Sequence, residues 1–303
     1  MRRPSEWVLA VAAGLVLAHT ACGGTVFEAT SPYHHIRVID ERGVRTLSFD
    51  GSMETRMSLA DPLQGHFQYT EYFHMAWLWN DSLAQVLMIG LGGGSTQRAF
   101  QHYYPDVMIE TVEIDPSVLH VAREYFHVKE SPTLKVHLED GRVYLRRSQK
   151  KYDAIFMDAY TEGRYGSFIP HHLVTKEFFT LASQHLTTNG VLAYNVIGSF
   201  QGPRAGILCS VYKTMKSVLP QVYLFPSGDS ENVVLIGTKS AQRSTFNSLH
   251  QRASSLLTRK RITLPNFRTR LYSFRVEPPS CVNQATIFTD DFAPVDGVLG
   301  TVP

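Results

Sequence analysis

The chain has 303 residues, 44% of them hydrophobic and 18% charged, which is enough apolar material to bury a full core and speaks against disorder. A net charge of +2 with acids and bases interspersed leaves no basic face for nucleic acid, and the longest basic run, Arg259-Lys260-Arg261, reads as a solvated helix end. Cys22, Cys209 and Cys281 stand apart without C-x-x-C spacing, so neither a disulfide framework nor a zinc site is indicated and they read as incidental thiols.

Arg2 and Arg3 precede an apolar run over 7–18 and then small residues up to Cys22. The run is short for a bilayer span but suits a signal-peptide core. Residues 1–24 are therefore expected to be a signal peptide or membrane anchor, giving an exported or membrane-tethered protein; a cytoplasmic one is the alternative. Residues 25–68 form a small β-hairpin domain, in which alternating Ile36, Val38, Leu47 and Phe49 flank the turn Glu41-Arg42-Gly43. Residues 69–79 carry Tyr72, Phe73, Met75, Ala76 and Trp79 at mixed helical spacing, as a buried helix would.

Residues 86–89 are a short apolar strand that breaks into Gly90-Leu91-Gly92-Gly93-Gly94, and after a helix-length segment a second strand ends in Glu113-Ile114-Asp115. This is the layout of a nucleotide-binding βαβ unit. Glycines let the backbone turn out of the strand and approach a ligand closely, and the helix behind them offers free N–H groups. Glu113 can accept hydrogen bonds from two ribose hydroxyls. The G-x-G-x-G spacing departs from the dinucleotide fingerprint, and Gln97 stands where a P-loop needs lysine, so the expected ligand is an adenosine with a sulfonium amino-acid tail.

A helix over 116–126 starts on an acid and proline, and strands follow over 134–138, 153–157 and 191–196, with a closing hairpin over 222–236. The fold class is α/β: a doubly wound, mostly parallel sheet with an antiparallel edge over 69–240, after the β-hairpin unit and ahead of a C-terminal extension over 241–303. Such sheets bind ligands at the carboxyl ends of their strands, where Gly90, Gly92, Gly94, Glu113, Asp140 and Asp158 all fall. Asp140-Gly141 suits an adenine ring. Asp158, facing an electrophilic sulfonium, can take the proton of an attacking amine. Adjacent histidines (His34-His35, His171-His172) point to different faces without a third partner, so no metal is expected.

Ser31-Pro32-Tyr33, Phe49-Asp50-Gly51, Tyr69-Thr70-Glu71, Gly92-Gly93-Gly94, Val112-Glu113-Ile114-Asp115, Asp140-Gly141, Tyr152-Asp153 through Asp158, and Thr289-Asp290-Asp291-Phe292-Ala293-Pro294-Val295 together resemble the spermidine synthase (polyamine aminopropyltransferase) family, in its divergent spermidine synthase-like branch. The resemblance implies a Rossmann-like domain of the class I S-adenosylmethionine methyltransferase type behind a small N-terminal β domain, and transfer of an aminopropyl group from decarboxylated S-adenosylmethionine, a co-substrate and no permanent cofactor, to a small amine such as putrescine. It implies Asp158 as proton acceptor, a donor site of Gly90, Gly92, Gly94, Glu113, Ile114, Asp140 and Gly141, and a substrate groove with Tyr69, Glu71 and Glu162; a homodimer is left open. Departures stand at Ser95, where the family has an aspartate for the aminopropyl ammonium, at His34 and Glu54, where it has glutamines, and at Thr161, where it has a second aspartate. Loss of the acid at Ser95 weakens discrimination against ordinary S-adenosylmethionine. Methyl transfer from that donor, or a non-catalytic exported binding protein, are the alternative functions.

Overall fold

The computed structural model describes residues 23–163 and 166–295. Cys22 and the segment read as a signal or anchor lie outside the described residues, apart from Gly23 and Gly24. Among the described residues no helix is long and apolar enough to cross a membrane.

The N-terminal unit is larger than one hairpin. Strands β1 (Gly24–Thr30), β2 (His35–Glu41), β3 (Val44–Phe49) and β4 (Ser52–Ser58) form an antiparallel sheet in chain order. Its two later turns carry positive φ at Arg42-Gly43 and at Asp50-Gly51, as two-residue hairpin turns require. Ile36, Val38, Leu47, Phe49 and Met57 point to one face and pack on Val118, Val121 and Phe126. This sheet is thus docked on the main domain, and Arg45 adds a hydrogen bond to the Tyr125 carbonyl at 2.8 Å.

A 3₁₀ helix, Gln68–Leu78, follows, with every residue from Tyr69 to Leu78 buried. Burial on all sides accounts for the mixed apolar spacing in this stretch, since no solvent face exists to impose a period. The main sheet then contains β5 (Gln85–Ile89), β6 (Met108–Glu113), β7 (Leu134–Leu138), β8 (Tyr152–Met157), β11 (Leu186–Ile197), β12 (Gln221–Pro226) and β13 (Asn232–Thr238), in the spatial order β12-β13-β11-β8-β5-β6-β7. Strands β7, β6, β5, β8 and β11 run parallel, and β13 and β12 close the edge antiparallel. A small hairpin, β9 (Thr161–Gly163) with β10 (Gly166–Phe168), projects after β8.

Successive strand residues face opposite layers. Val86, Met88, Ala154 and Phe156 pack with the 3₁₀ helix, α1 (Ser95–Tyr103) and residues of α2 (Pro116–Tyr125); Leu87, Ile89, Ile155 and Met157 pack under α3 (Gly141–Arg147), α4 (Lys176–His185) and α5 (Ala205–Lys216). The C-terminal α6 (Phe246–Thr258) completes the first layer. Strand order reverses between β5 and β8, and the crevice at such a switch point is where a doubly wound sheet takes its ligand.

The cysteine reading requires correction. Cys209, buried on α5, is disulfide-bonded to Cys281 of the C-terminal extension, with Cα atoms 5.8 Å apart across a sequence separation of 72. Isolated spacing carried no sign of the pair because only the return of the extension along α5 brings Cys281 to it. The same strap places Asp290 against Arg142 in a bidentate pair (2.7 and 2.6 Å) and against Thr175 Oγ1 at 2.7 Å.

Candidate active site

A cavity of about 410 Å³ opens at the carboxyl ends of β5, β6 and β8, and its lining includes Gly90, Gly92, Glu113, Ile114, Asp140, Gly141, Asp158 and Tyr69. That volume lies in the range of small-molecule sites. Gly94 sits just behind the lining, as the residue preceding α1.

Gly90, Gly92 and Gly94 all have positive φ. At Gly90 the need is absolute as well as conformational: a Cβ would lie 2.1 Å from the Asp158 carbonyl oxygen. That close approach lays the glycine loop directly beside the end of β8. Gly141 is equally tight, since a Cβ there would lie 2.4 Å from Ile89 Cγ2.

Glu113 is 8% exposed, and its two carboxylate oxygens accept from the Leu91 N–H (2.9 Å) and the Asp115 N–H (3.0 Å). Burial pushes its pKa up, against the pull of those backbone donors. A carboxylate has about four lone-pair sites, so these backbone donors leave acceptor capacity for a ribose hydroxyl. Ile114, next along, is 40% exposed and offers an apolar edge in the same cavity.

Asp140 caps α3, accepting from the N–H groups of Arg142 and Val143 at 2.9 Å each. Its other oxygen is 2.7 Å from His172 Nε2. Burial would raise its pKa, but His172 and the helix N–H groups outweigh that and lower it. An exocyclic amine must therefore share this oxygen with His172. His172 had no assigned role in the sequence; its partner is 32 residues away, beyond the reach of any motif. Among the described residues there is no cluster of three or more metal-ligating side chains.

Asp158 sits at the mouth of β8. Oδ1 accepts from Asn195 Nδ2 at 2.8 Å, and Oδ2 accepts from Tyr69 Oη at 3.1 Å. Asn195 is itself oriented, because Asn232 Nδ2 donates to its side-chain oxygen at 3.1 Å. Burial raises Asp158 to about 6, with Asn195 and Tyr69 opposing. Tyr69 is held well above the usual phenol range, by burial first and then by the charges of Asp158 and Glu54, so it stays protonated and donates. Tyr160 braces the other side: its hydroxyl donates to the Asn195 carbonyl and accepts from the Ile197 N–H, both at 2.9 Å.

Glu71 does not reach this cavity. It is clamped by Arg270 (2.7 Å) and His66 (3.0 Å) and borders a smaller void of about 50 Å³ behind Ser95 and Thr70. Glu162 lies in β9, and its side chain is outside the described part of the structure. Besides His172, Tyr160 and Asn195, the latter inside an apolar strand, were not read from the sequence as site residues, and Glu54, read there only as a departure from the family pattern, lines the cavity from β4. The polar Asn195 amid Tyr194 and Val196 was the one visible signal.

The cavity lining has five acids, Glu54, Glu113, Glu139, Asp140 and Asp158, and among the described residues neither lysine nor arginine. Residues 66–227 match the spermine/spermidine synthase domain. The chain belongs to the spermine/spermidine synthase family. A polyamine aminopropyltransferase of Vibrio vulnificus is 30% identical over 288 residues, covering 89% of this chain and 90% of that protein. Two solved structures are similar. Human methyltransferase-like protein 13 in complex with SAH is 25% identical with a TM-score of 0.57, over 65% of this chain and 94% of that one. A spermidine synthase in complex with the transition state analogue AdoDATO is 19% identical with a TM-score of 0.60, over 82% and 87%. The fold is accordingly the class I methyltransferase-like α/β sheet with an antiparallel N-terminal sheet, and the spermine/spermidine synthase family is one of transferases.

Proposed function

We propose that the protein transfers an aminopropyl group from decarboxylated S-adenosylmethionine to a polyamine acceptor such as putrescine. The observation that carries this is Asp158: a carboxylate held at about 6, in one cavity with the glycine loop and Glu113, and braced by two donors.

Glu113 would take the ribose hydroxyls, and Gly141 with Ile114 would bed the adenine edge. The sulfonium would then lie between the glycine loop and Asp158. The acceptor nitrogen attacks the methylene carbon beside sulfur; a C–N bond forms, the C–S bond breaks, and its electron pair stays on sulfur, giving neutral methylthioadenosine. Asp158 takes the proton that the acceptor nitrogen gives up to free its lone pair, and the product nitrogen carries the positive charge released from sulfur. An aliphatic amine has a pKa near 10, so a base at this place is a chemical need. The acidic lining supports a cationic substrate, whose local concentration it raises.

One observation favours methyl transfer as a second reading: no acid stands between Gly90 and Gln97, and the buried Arg98 guanidinium lies against Ser95 Oγ at 3.4 Å. Incubation with each donor separates the two. Methylthioadenosine released from decarboxylated donor plus putrescine, and lost in Asp158→Asn, supports aminopropyl transfer; S-adenosylhomocysteine released from the ordinary donor instead overturns it.

A further inference from the structure

We propose that the protein carries a second ligand site, for a phosphorylated small molecule, in a basic cavity between the β11–β13 edge of the main sheet and α6. The cavity encloses about 330 Å³ and shares no lining residue with the one that holds Asp158. It takes in Gly190 near the start of β11, whereas Asn195, the partner of Asp158, stands toward the other end of that strand. A space of this size admits a small molecule and not a polymer strand.

Lys239, Arg243 and Arg252 line it, and among the described residues no acid does. Their present contacts leave donors to spare. Arg252 gives Nη1 to the Leu78 carbonyl at 3.0 Å, one of the five N–H donors of a guanidinium. Lys239 approaches the Ser183 and Leu186 carbonyls only at 3.4 and 3.3 Å. Arg243 pairs with Glu277 at 2.7 Å, but both side chains are more than half exposed, so solvent screens that pair.

A buried hydroxyl points the same way. Thr238, 3% exposed, also lines the cavity and shares its side of β13 with Val234 and Ile236, facing the layer of α6. Its Oγ1 has no hydrogen-bond partner among the described residues, although a buried hydroxyl is normally paired. The walls are already set: the Ser244 N–H donates to Tyr223 Oη at 2.7 Å, the Trp79 indole N–H donates to Ser244 Oγ at 3.0 Å, and Thr245 caps α6.

Cations gathered without an acid repel one another and focus a positive potential into the space between them. A doubly charged oxyanion relieves that repulsion, suits the fork of a guanidinium, and accepts the Thr238 proton. Phosphate groups combine this charge with several acceptor oxygens, which a single carboxylate does not.

The test is calorimetry on the full chain with pyrophosphate and succinate as probes, and it does not depend on the donor or acceptor reading above. Pyrophosphate should bind one per chain, more tightly than succinate, and more weakly as salt rises. Arg252→Gln and Lys239→Gln should each raise its Kd about tenfold or more, Arg252→Lys should recover part of the affinity, and Thr238→Val should cost about threefold to tenfold. Thermal melts without ligand establish that each variant is folded. Lys135→Gln, on exposed β7 at the opposite edge of the sheet, should leave the Kd unchanged, as should saturating methylthioadenosine. No pyrophosphate binding, equal affinity for succinate, or a Kd that neither Arg252→Gln nor Lys239→Gln moves each overturns the proposal. So does a Kd raised equally by Lys135→Gln, which would spread the anion over the surface, or raised by methylthioadenosine, which would move it to the Asp158 cavity.

Discussion

Tyr69 and Asp158, separated by 89 residues in sequence, meet at 3.1 Å where the buried 3₁₀ helix crosses the end of β8. The phenol donates and the carboxylate accepts, so the bond favours the ionised acid, while burial favours the neutral one and wins, leaving Asp158 at about 6. A base works in its ionised form, which is present above that value and lost as pH falls through it. kcat/KM for the amine should therefore show an acidic limb with a midpoint at about 6. A profile flat from pH 5 to 8, a span of roughly three units around neutrality, would deny Asp158 the role of base.

Removing the donors should move that limb in a known direction. Tyr69→Phe keeps the ring and deletes the hydrogen bond, so the midpoint should rise; Asn195→Ala should raise it further, since Asn195 is the stronger of the two opposing influences. Asp158→Asn should abolish the limb and lower kcat by about 10²–10⁴, the usual contribution of a positioned base. The pH profile is the readout that separates these roles from simple loss of packing. An unmoved midpoint in both Tyr69→Phe and Asn195→Ala would show that neither tunes the base.

Much of this site was legible because its residues end strands. The apolar runs leading into Gly90, Glu113 and Asp158 announce β5, β6 and β8, and a parallel sheet brings their carboxyl ends together whatever the loops do. What was not legible is orientation. Glu71 follows Tyr69 closely and reads as a neighbour in the groove, yet on the 3₁₀ helix the two point apart, one to Asp158 and the other to Arg270. Glu54 is hidden differently: Ser52–Ser58 is so polar that its alternation shows only in Thr55 and Met57, both buried. Helix α3 spans only Gly141–Arg147, too short for a periodic signal, although Asp140 capping it was in plain view.

Glu71 is consequently expected to matter for stability and little for kinetics. Burial opposes its ionisation, but His66 and Arg270 outweigh that and bring it to about 2, against an ordinary 4.5. A carboxyl lowered in the folded state contributes stability that is complete above about 4.5 and disappears as pH falls toward 2. The difference amounts to roughly 3 kcal/mol. Glu71→Gln should lower Tm by about 5 °C at pH 7 for a chain of this size, with KM for putrescine unchanged. A raised KM with Tm intact would return Glu71 to the groove.

The bridge between Cys209 and Cys281 closes a loop of 72 residues, and constraining the unfolded chain over that length is worth about 4 kcal/mol. It also anchors the strap that continues through Phe288, whose N–H donates to Thr214 Oγ1 at 2.9 Å, to Asp290 on Arg142. Arg142 in turn donates to the His172 carbonyl at 3.0 Å, beside the Asp140 pair at the cavity wall. Reduction, or Cys281→Ser, should therefore lower Tm and loosen adenosyl binding together, measured as thermal melts with and without methylthioadenosine. Disulfides persist in oxidising compartments, and from the bridge we propose that the chain is exported, in which case fractionation of cells producing the full chain should recover it outside the cytoplasm. Native protein in which both thiols alkylate without reductant would remove the bridge and the argument for export with it.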